Sequence, residues 1–394
     1  MARILIAPDK FKGTLSAEEV ADEVASAVRR IMPDAKLAVA PMADGGEGTS
    51  EIIAGRRSLN PAETDGHNAL MEPVRVRYFE KDGVCAVDCA AVVGLAMLGG
   101  RALTPWQATS YPLGQFIRRM LDQGMREIII GLGGSATVDG GAGLLQALGA
   151  RFFDMAGREI PVPVTAATIG AVASADLSKV DVDRLKQAIT ILADVDLPLL
   201  PNAPGEMSSL SFAPQKGVKP HEIETLHNAL ASYSSALLAA ITATHNRHDN
   251  PTDDAGSHFE GAAGGLGFAL HRILGCDAYA GAEYLLNAIK PFDPQPDLVI
   301  TGEGAFDSQS LTGKVTGTII AECTSRNIPV IVVAGHSEIP ESASTDTPLS
   351  IIATSPFLPS PDAPLTHTNA LTSLRHALSV RLSALLTALI KNQK

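Results

Sequence analysis

Glu127-Ile128-Ile129-Ile130-Gly131-Leu132-Gly133-Gly134-Ser135-Ala136-Thr137-Val138-Asp139-Gly140-Gly141-Ala142-Gly143 runs directly into Leu144-Leu145-Gln146-Ala147-Leu148. Six of the thirteen residues from Gly131 to Gly143 are glycine. An apolar run, a glycine turn and a second apolar run read as strand, turn and helix. That succession is the building unit of an α/β layer protein. Backbone N–H groups in such a turn, with the positive end of the following helix, can hold a phosphate or carboxylate. A tight turn without a ligand accounts for the glycines equally well. Taken alone, the stretch leaves both alternatives open.

The N-terminal part of the chain points to the same fold class. Ile4-Leu5-Ile6-Ala7 is a short continuous apolar run, as in a buried parallel strand. Pro8 ends it. Ser16 and Glu19 form a capping box for a helix whose Val20, Val24, Val28 and Ile31 share one face. Pro33 closes the helix, and Leu37-Ala38-Val39-Ala40 is the next strand. This βαβ start predicts a parallel sheet.

Beyond it the pattern changes. Val74 to Phe79 alternates apolar and polar, Asp82-Gly83 supplies a turn, and Val84-Cys85-Ala86-Val87 returns, an antiparallel hairpin. Ile189 to Asp196 reads as a strand ending in two carboxylates, and Gly302-Glu303-Gly304 as a turn after the strand Leu298–Thr301. A long helix is expected over about 221–244, then a polar loop over 245–259. The parallel pattern resumes near Asp297 and runs through Pro329–Ala334 and Ile351–Ala353. It ends in a helix carrying Leu371, Leu374, Leu378, Leu382, Leu385 and Leu389 at three-four spacing. The expected architecture is α/β with two domains. A parallel-sheet, Rossmann-like domain is formed by 1–70 and 290–394, and a second α/β domain, 71–289, is inserted into it.

Composition narrows the function. The 394 residues are 45% apolar but only 4% aromatic, so the cores are built of Ala, Val, Leu and Ile. A net charge of −12 argues against nucleic acid or an anionic membrane as partner. Cys85, Cys89, Cys276 and Cys323 lack the paired spacing of a zinc site and read as reduced, buried thiols. No run approaches the length of a membrane span and the first apolar run is too short for a signal peptide, so the expected location is cytoplasmic. A monomer and a homodimer are both compatible with the sequence.

Four polar, glycine-linked stretches stand at predicted strand ends, where open α/β sheets bind ligands. In Asp9-Lys10-Phe11-Lys12-Gly13-Thr14, Lys10 and Lys12 are point charges suited to a carboxylate or phosphate. Asp44-Gly45-Gly46-Glu47-Gly48-Thr49 places two acids among glycines, suited to a metal–phosphate edge or a hydroxyl. Asp194-Val195-Asp196, if still in the strand, puts both carboxylates on one side, where they share a magnesium ion or divide metal and general-base roles. The fourth stretch runs from Thr301 to Lys314 and carries Glu303, Asp307 and Lys314. A solvated acidic or basic turn explains each one singly. Standard nucleotide motifs fail: Thr312-Gly313-Lys314-Val315 has Val where a P-loop needs Ser or Thr, and no Gly-x-Gly-x-x-Gly follows the first strand.

As a set, these stretches resemble the bacterial glycerate 2-kinase (glycerate kinase type 1) family. Those that carry the resemblance are Ala7–Ser16, Ala43–Thr49, the opening glycine stretch, Asp194–Asp196, Pro214-Gln215-Lys216-Gly217, Gly261–Gly267 and Thr301–Gly304. The likeness covers almost the whole chain in the same order. It implies ATP-dependent phosphorylation of D-glycerate to 2-phosphoglycerate with Mg²⁺, and two α/β domains with the active site between them. Val138 stands where the family usually has Asn, and Ala305-Phe306 where it often has Arg-Ile. On this reading Asp194 orients or deprotonates the C2 hydroxyl, and Asp196 or Asp307 holds Mg²⁺. Lys10 and Lys12 meet the substrate carboxylate or the transferring phosphoryl group. Asp44, Glu47, Gly133, Gly134, Ser135, Asp139, Lys216, Glu303 and Lys314 are the expected substrate- and phosphate-binding residues. A kinase for another small hydroxy acid or sugar acid, and a non-catalytic anion-binding relative, are the alternatives.

Overall fold

The computed structural model describes residues 1–99, 103–244, 258–311, 314–339, 349–358 and 365–391. Thr312 and Gly313, and residues 245–257 of the expected polar loop, lie outside them. The chain divides into two compact units, Met1–Asp44 with Ala282–Lys394, and Gly45–Gly281.

In chain order the strands are β1 (Arg3–Ile6), β2 (Lys36–Val39), β3 (Asn60–His67), β4 (Pro73–Lys81), β5 (Val84–Asp88), β6 (Glu127–Leu132), β7 (Arg151–Phe153), β8 (Ser174–Asp176), β9 (Ile189–Ala193), β10 (Asp277–Ala280), β11 (Leu298–Phe306), β12 (Val330–Ser337) and β13 (Leu349–Ala353). The first unit is a five-stranded, wholly parallel sheet in the order β13-β12-β11-β1-β2. With the insertion removed, this is the flavodoxin-like order 2-1-3-4-5. Chain direction across the sheet reverses between β1 and β11, so the ligand crevice of such a sheet is expected at their C-terminal ends.

The sequence patterns explain the packing of this unit. Helix Ala17–Ile31 starts on Ser16, whose Oγ accepts from Glu19 N at 3.1 Å while the Glu19 carboxylate accepts from Ser16 N at 2.8 Å. Val20, Val24 and Val28 are buried, as the spacing required, against Ile4, Ile6 and Ile300. The C-terminal helix runs from His367 to Lys391 with a wider turn over Leu378–Leu382, and it buries Leu374, Leu378 and Leu382 in the same core.

One element differs from expectation in a way that moves a site residue. Gly302-Glu303-Gly304 is not a turn but the middle of β11, with Gly302 opposite Val333 and Glu303 opposite Ala334. A Cβ added at Gly302 would lie 2.0 Å from the Val333 carbonyl oxygen, so glycine serves close strand approach here rather than chain reversal.

The second unit is built on a six-stranded sheet in the order β10-β9-β6-β5-β4-β3. β5, β6, β9 and β10 run parallel; β4 and β5 form the expected antiparallel hairpin, and β3 adds an antiparallel edge strand that the sequence reading lacks. The compact unit runs from Gly45 to Gly281, and all eight residues of β3 pair with β4 within it. Phe152, Tyr233 and Phe268 pack edge-to-face with centroids 5.9 and 6.1 Å apart, and Tyr233 Oη donates to Gly140 O at 3.3 Å, tying the glycine stretch to helix Ile223–Thr244. All four cysteines are buried free thiols, and burial pushes each up to about 12. Among the described residues no helix is long and apolar enough to cross a membrane.

Candidate active site

In the first unit, charged residues converge at the reversal point of the sheet. Asp9 stands three residues past β1, and its N–H bonds Gly302 O of β11 at 2.8 Å. Its carboxylate accepts from Lys10 N at 2.7 Å. Lys10 Nζ lies 3.5 Å from Asp44, which follows β2, and 3.8 Å from Asp9. Glu303 reaches the same end of the sheet from β11. Asp9 is only 6% exposed, and its pKa is raised from 3.8 to about 7. Burial is the main cause, the Asp44 and Glu303 charges add to it, and Lys10 opposes it.

Glu303 is 7% exposed and is also raised, chiefly by burial; the Thr316 hydroxyl and Lys314 pull the other way. Its Oε1 has no hydrogen-bond partner, an orphan of the kind a ligand satisfies. Lys314 precedes helix Val315–Ser325, and Asp307 accepts from Ser310 N at 3.1 Å. Lys12 is exposed. Asp9, which the expected site omits although its motif was singled out, is thus the most perturbed acid of this unit. Its signal was its place, directly past the first strand and before Lys10.

In the second unit, Asp194 lies one residue beyond the end of β9, with its N–H to Leu132 O at 3.4 Å. Its carboxylate stands over the glycine turn that follows β6: a Cβ built on Gly133 would be 2.6 Å from Asp194 Oδ2. Gly133 is buried and Gly134 exposed. From the other side, Cys89 Sγ donates to Gly133 O at 3.2 Å. Gly46 packs on the same turn, its Cα 2.6 Å from the Gly133 Cβ position, while Glu47 points to solvent. Asp88, another residue the expected site lacks, accepts from Gly48 N and Ser50 N at 2.8 and 2.9 Å and so anchors the backbone from Gly48 to Ser50.

Four expectations need correction. Asp194 and Asp196 do not share a strand face, because β9 stops at Ala193. Asp196 instead ties a loop: one oxygen lies 2.7 Å from His258 Nδ1 and the other accepts from Phe259 N at 2.9 Å. The pair therefore does not fit a shared magnesium ion. Among the described residues no three His, Cys, Asp or Glu side chains are grouped as a metal site.

Asp139 is fully buried, and its oxygens are engaged inside the fold. Its carboxylate accepts from Ser110 N, Ser110 Oγ, Gly141 N and Gly143 N. It is the anion at the start of the six-residue helix Ala142–Ala147, so that helix end has its negative charge already. We expect Asp139→Ala to lower unfolding stability by about 3 kcal/mol or more, read by urea denaturation, since four donors lose their acceptor.

Ser135 and Lys216 are also spoken for internally. Lys216 Nζ donates to Ser135 Oγ and Thr137 O, and Ser135 Oγ donates to Ala263 O. Val138, where the family usually has Asn, is 3% exposed and packs within the apolar core.

Two open sheets with charged residues and glycine turns at the C-terminal ends of parallel strands place this chain among α/β enzymes. It belongs to the glycerate kinase family: the model described as "Glycerate kinase family" matches residues 4–381. The glycerate 2-kinase of Escherichia coli K12 is 38% identical over 340 residues, covering 84% of this chain and 85% of that protein. The glycerate kinase of Bacillus subtilis 168 is 35% identical over 337 residues, with 84% and 85% covered. A crystal structure from Salmonella typhimurium LT2, assigned as a glycerate kinase 2, superposes with a TM-score of 0.75 at 33% identity, covering 98% of both chains.

Proposed function

We propose that this protein is an ATP-dependent kinase that phosphorylates D-glycerate at its C2 hydroxyl, giving 2-phosphoglycerate and ADP. Membership of the glycerate kinase family along nearly the whole chain supports the class. The observation in this chain that carries the chemistry is the partly exposed Asp194 carboxylate held over the Gly133 turn. Phosphoryl transfer asks for a positioned nucleophile and neutralised charge rather than elaborate covalent chemistry.

In this reading Asp194 accepts the C2 hydroxyl proton as the hydroxyl oxygen bonds to the γ-phosphorus and the bond to the ADP oxygen breaks. In the second unit, backbone groups of Gly133 and Gly134 meet an anionic oxygen; in the first, Lys10, Lys12 and Lys314 offer positive charge to an anionic ligand. Asp44 holds Lys10 in place, and the orphaned Glu303 oxygen meets a ligand hydroxyl or a phosphate-borne proton. Asp307 is the carboxylate that would hold a magnesium ion arriving with ATP, and the ion would supply positive charge against the charge that develops on the phosphates.

The test is ADP release from a panel of small hydroxy acids. We expect turnover with D-glycerate, loss on chelation with EDTA and recovery with Mg²⁺. Activity on another hydroxy acid with indifference to glycerate would reassign the substrate. Absence of phosphorylation on the whole panel would leave an anion-binding relative.

A further inference from the structure

Lys216 is a buried cation beneath the glycine turn of the second unit. It is 5% exposed, yet among the described residues it makes no ion pair. Its ammonium bonds two neutral acceptors, Ser135 Oγ at 2.9 Å and Thr137 O at 2.8 Å. Both belong to the turn whose other end carries Gly133 and faces Asp194. The space is made for it: Gly264 adopts φ +73°, and a Cβ there would lie 2.8 Å from Lys216 Nζ and 1.9 Å from Thr137 O. Ser135 passes the restraint on by donating to Ala263 O at 2.8 Å.

A lone buried ammonium with uncharged partners opposes folding, since desolvation of the charge is only partly compensated. The titratable groups that face it are the Cys89 thiol from the turn after β5, and the Asp194 and Asp139 carboxylates from the end of β9 and the glycine stretch. The two carboxylates favour its charged form, while the thiol, pushed up to about 12 by burial, stays neutral.

We propose that Lys216 is a positioning residue for phosphoryl transfer: as an ammonium ion it pins Ser135 and Thr137, holds the Gly133–Ser135 backbone in register with Asp194, and lends its positive charge to that turn from behind. This rests on the kinase reading above. Deprotonation leaves two N–H donors, enough for both acceptors, but it removes the charge that strengthens these bonds, so the turn is held less firmly and loses its positive backing once Lys216 is neutral. Burial lowers its pKa from 10.5 to about 8, and Cys89, at about 12, does not titrate in that range.

The experiment compares wild type with Lys216→Met, which keeps the length and apolar stem. We expect wild-type kcat to fall as the pH rises through about 8. Lys216→Met should lose about a hundredfold in kcat at pH 7 and show no such limb, with the KM for glycerate changed only severalfold. A folded Lys216→Met with wild-type kcat, or a wild-type kcat flat from pH 7 to 10, overturns the proposal.

Thermal unfolding keeps its failure apart from failure of the kinase reading, because it needs no substrate. Between about pH 8 and 10.5 the unfolded chain binds the Lys216 proton and the folded one does not, so wild-type stability relative to Lys216→Met should rise with pH there. A constant difference overturns the buried-cation assignment whether or not glycerate is turned over. If Lys216→Met does not fold, Ser135→Ala decides: removing one acceptor should move the alkaline limb to lower pH, and an unmoved limb counts against the proposal.

Discussion

Asp194→Asn should lower kcat by about a thousandfold, within the range of a lost general base or orienting carboxylate. Its KM values and melting temperature should stay close to wild type. Asparagine has the shape of aspartate and retains one acceptor oxygen, so the packing over Gly133 survives. What is lost is the capacity to take a proton. Asp194 is only partly buried and lies beyond the last residue of β9, so the sheet does not depend on its charge. Surface-proximal isosteric changes of this kind usually move stability by less than about 0.5 kcal/mol. Single-turnover kinetics with glycerate and ATP is the measurement. Near-normal turnover would remove Asp194 from the chemistry and direct attention to the acids of the first unit. The same single-turnover assay on Asp196→Asn should give a rate near wild type, because both Asp196 oxygens are engaged with His258 and Phe259.

Much of this arrangement is legible in the residues. Apolar runs with Ser16 and Glu19 at the right offset specify β1 and its helix, and the Asp82-Gly83 turn specifies the hairpin of β4 and β5. Such signals are local, and local signals survive folding. The errors fall where a residue's role is decided by something distant in the chain. Gly302 reads as part of a turn because glycine usually marks one, and only the carbonyl of Val333, thirty-one residues later, reveals that it serves strand approach. Asp139 read as a ligand group because it sits among glycines. Its four donors include both polar groups of Ser110, which lies on another loop. Asp196 read as the strand-mate of Asp194 because the period-two rule was carried one turn too far, past the end of β9. Lys216 stands in a short Pro-Gln-Lys-Gly stretch with no local hint that its ammonium lies under a turn eighty residues earlier. Sequence spacing thus located the strand-end loops that matter, while long-range hydrogen bonds decided which side chains in them are free to act.

Asp9→Asn should make the protein more stable and less active, and the gain should depend on pH in a defined direction. The Asp9 carboxyl has a pKa near 3.8 in the unfolded chain and about 7 in the folded one. Between those values the folded state holds a proton that the unfolded state has released, so stability is highest below about pH 4 and declines as the pH rises through about 7. Above 7 the carboxylate is charged, 6% exposed, and close to Asp44 and Glu303, with Lys10 the compensating cation. Asparagine carries no charge to desolvate and still accepts from Lys10 N. The shift corresponds to a cost on the order of 2–4 kcal/mol above pH 7, which asparagine removes. Melting curves from pH 4.5 to 8.5 should therefore show a small advantage for Asp9→Asn in acid, a gap that widens to about pH 7, and a plateau beyond. Activity should move the other way, with kcat/KM lower by at least about tenfold at pH 7.5. Parallel melting curves would mean that Asp9 ionises normally in the folded protein. A variant that is both more stable and fully active would mean that the acid at the β1–β11 reversal point has no part in the reaction. A gain in stability joined to a loss of activity is what a binding or catalytic acid held at the cost of fold stability produces.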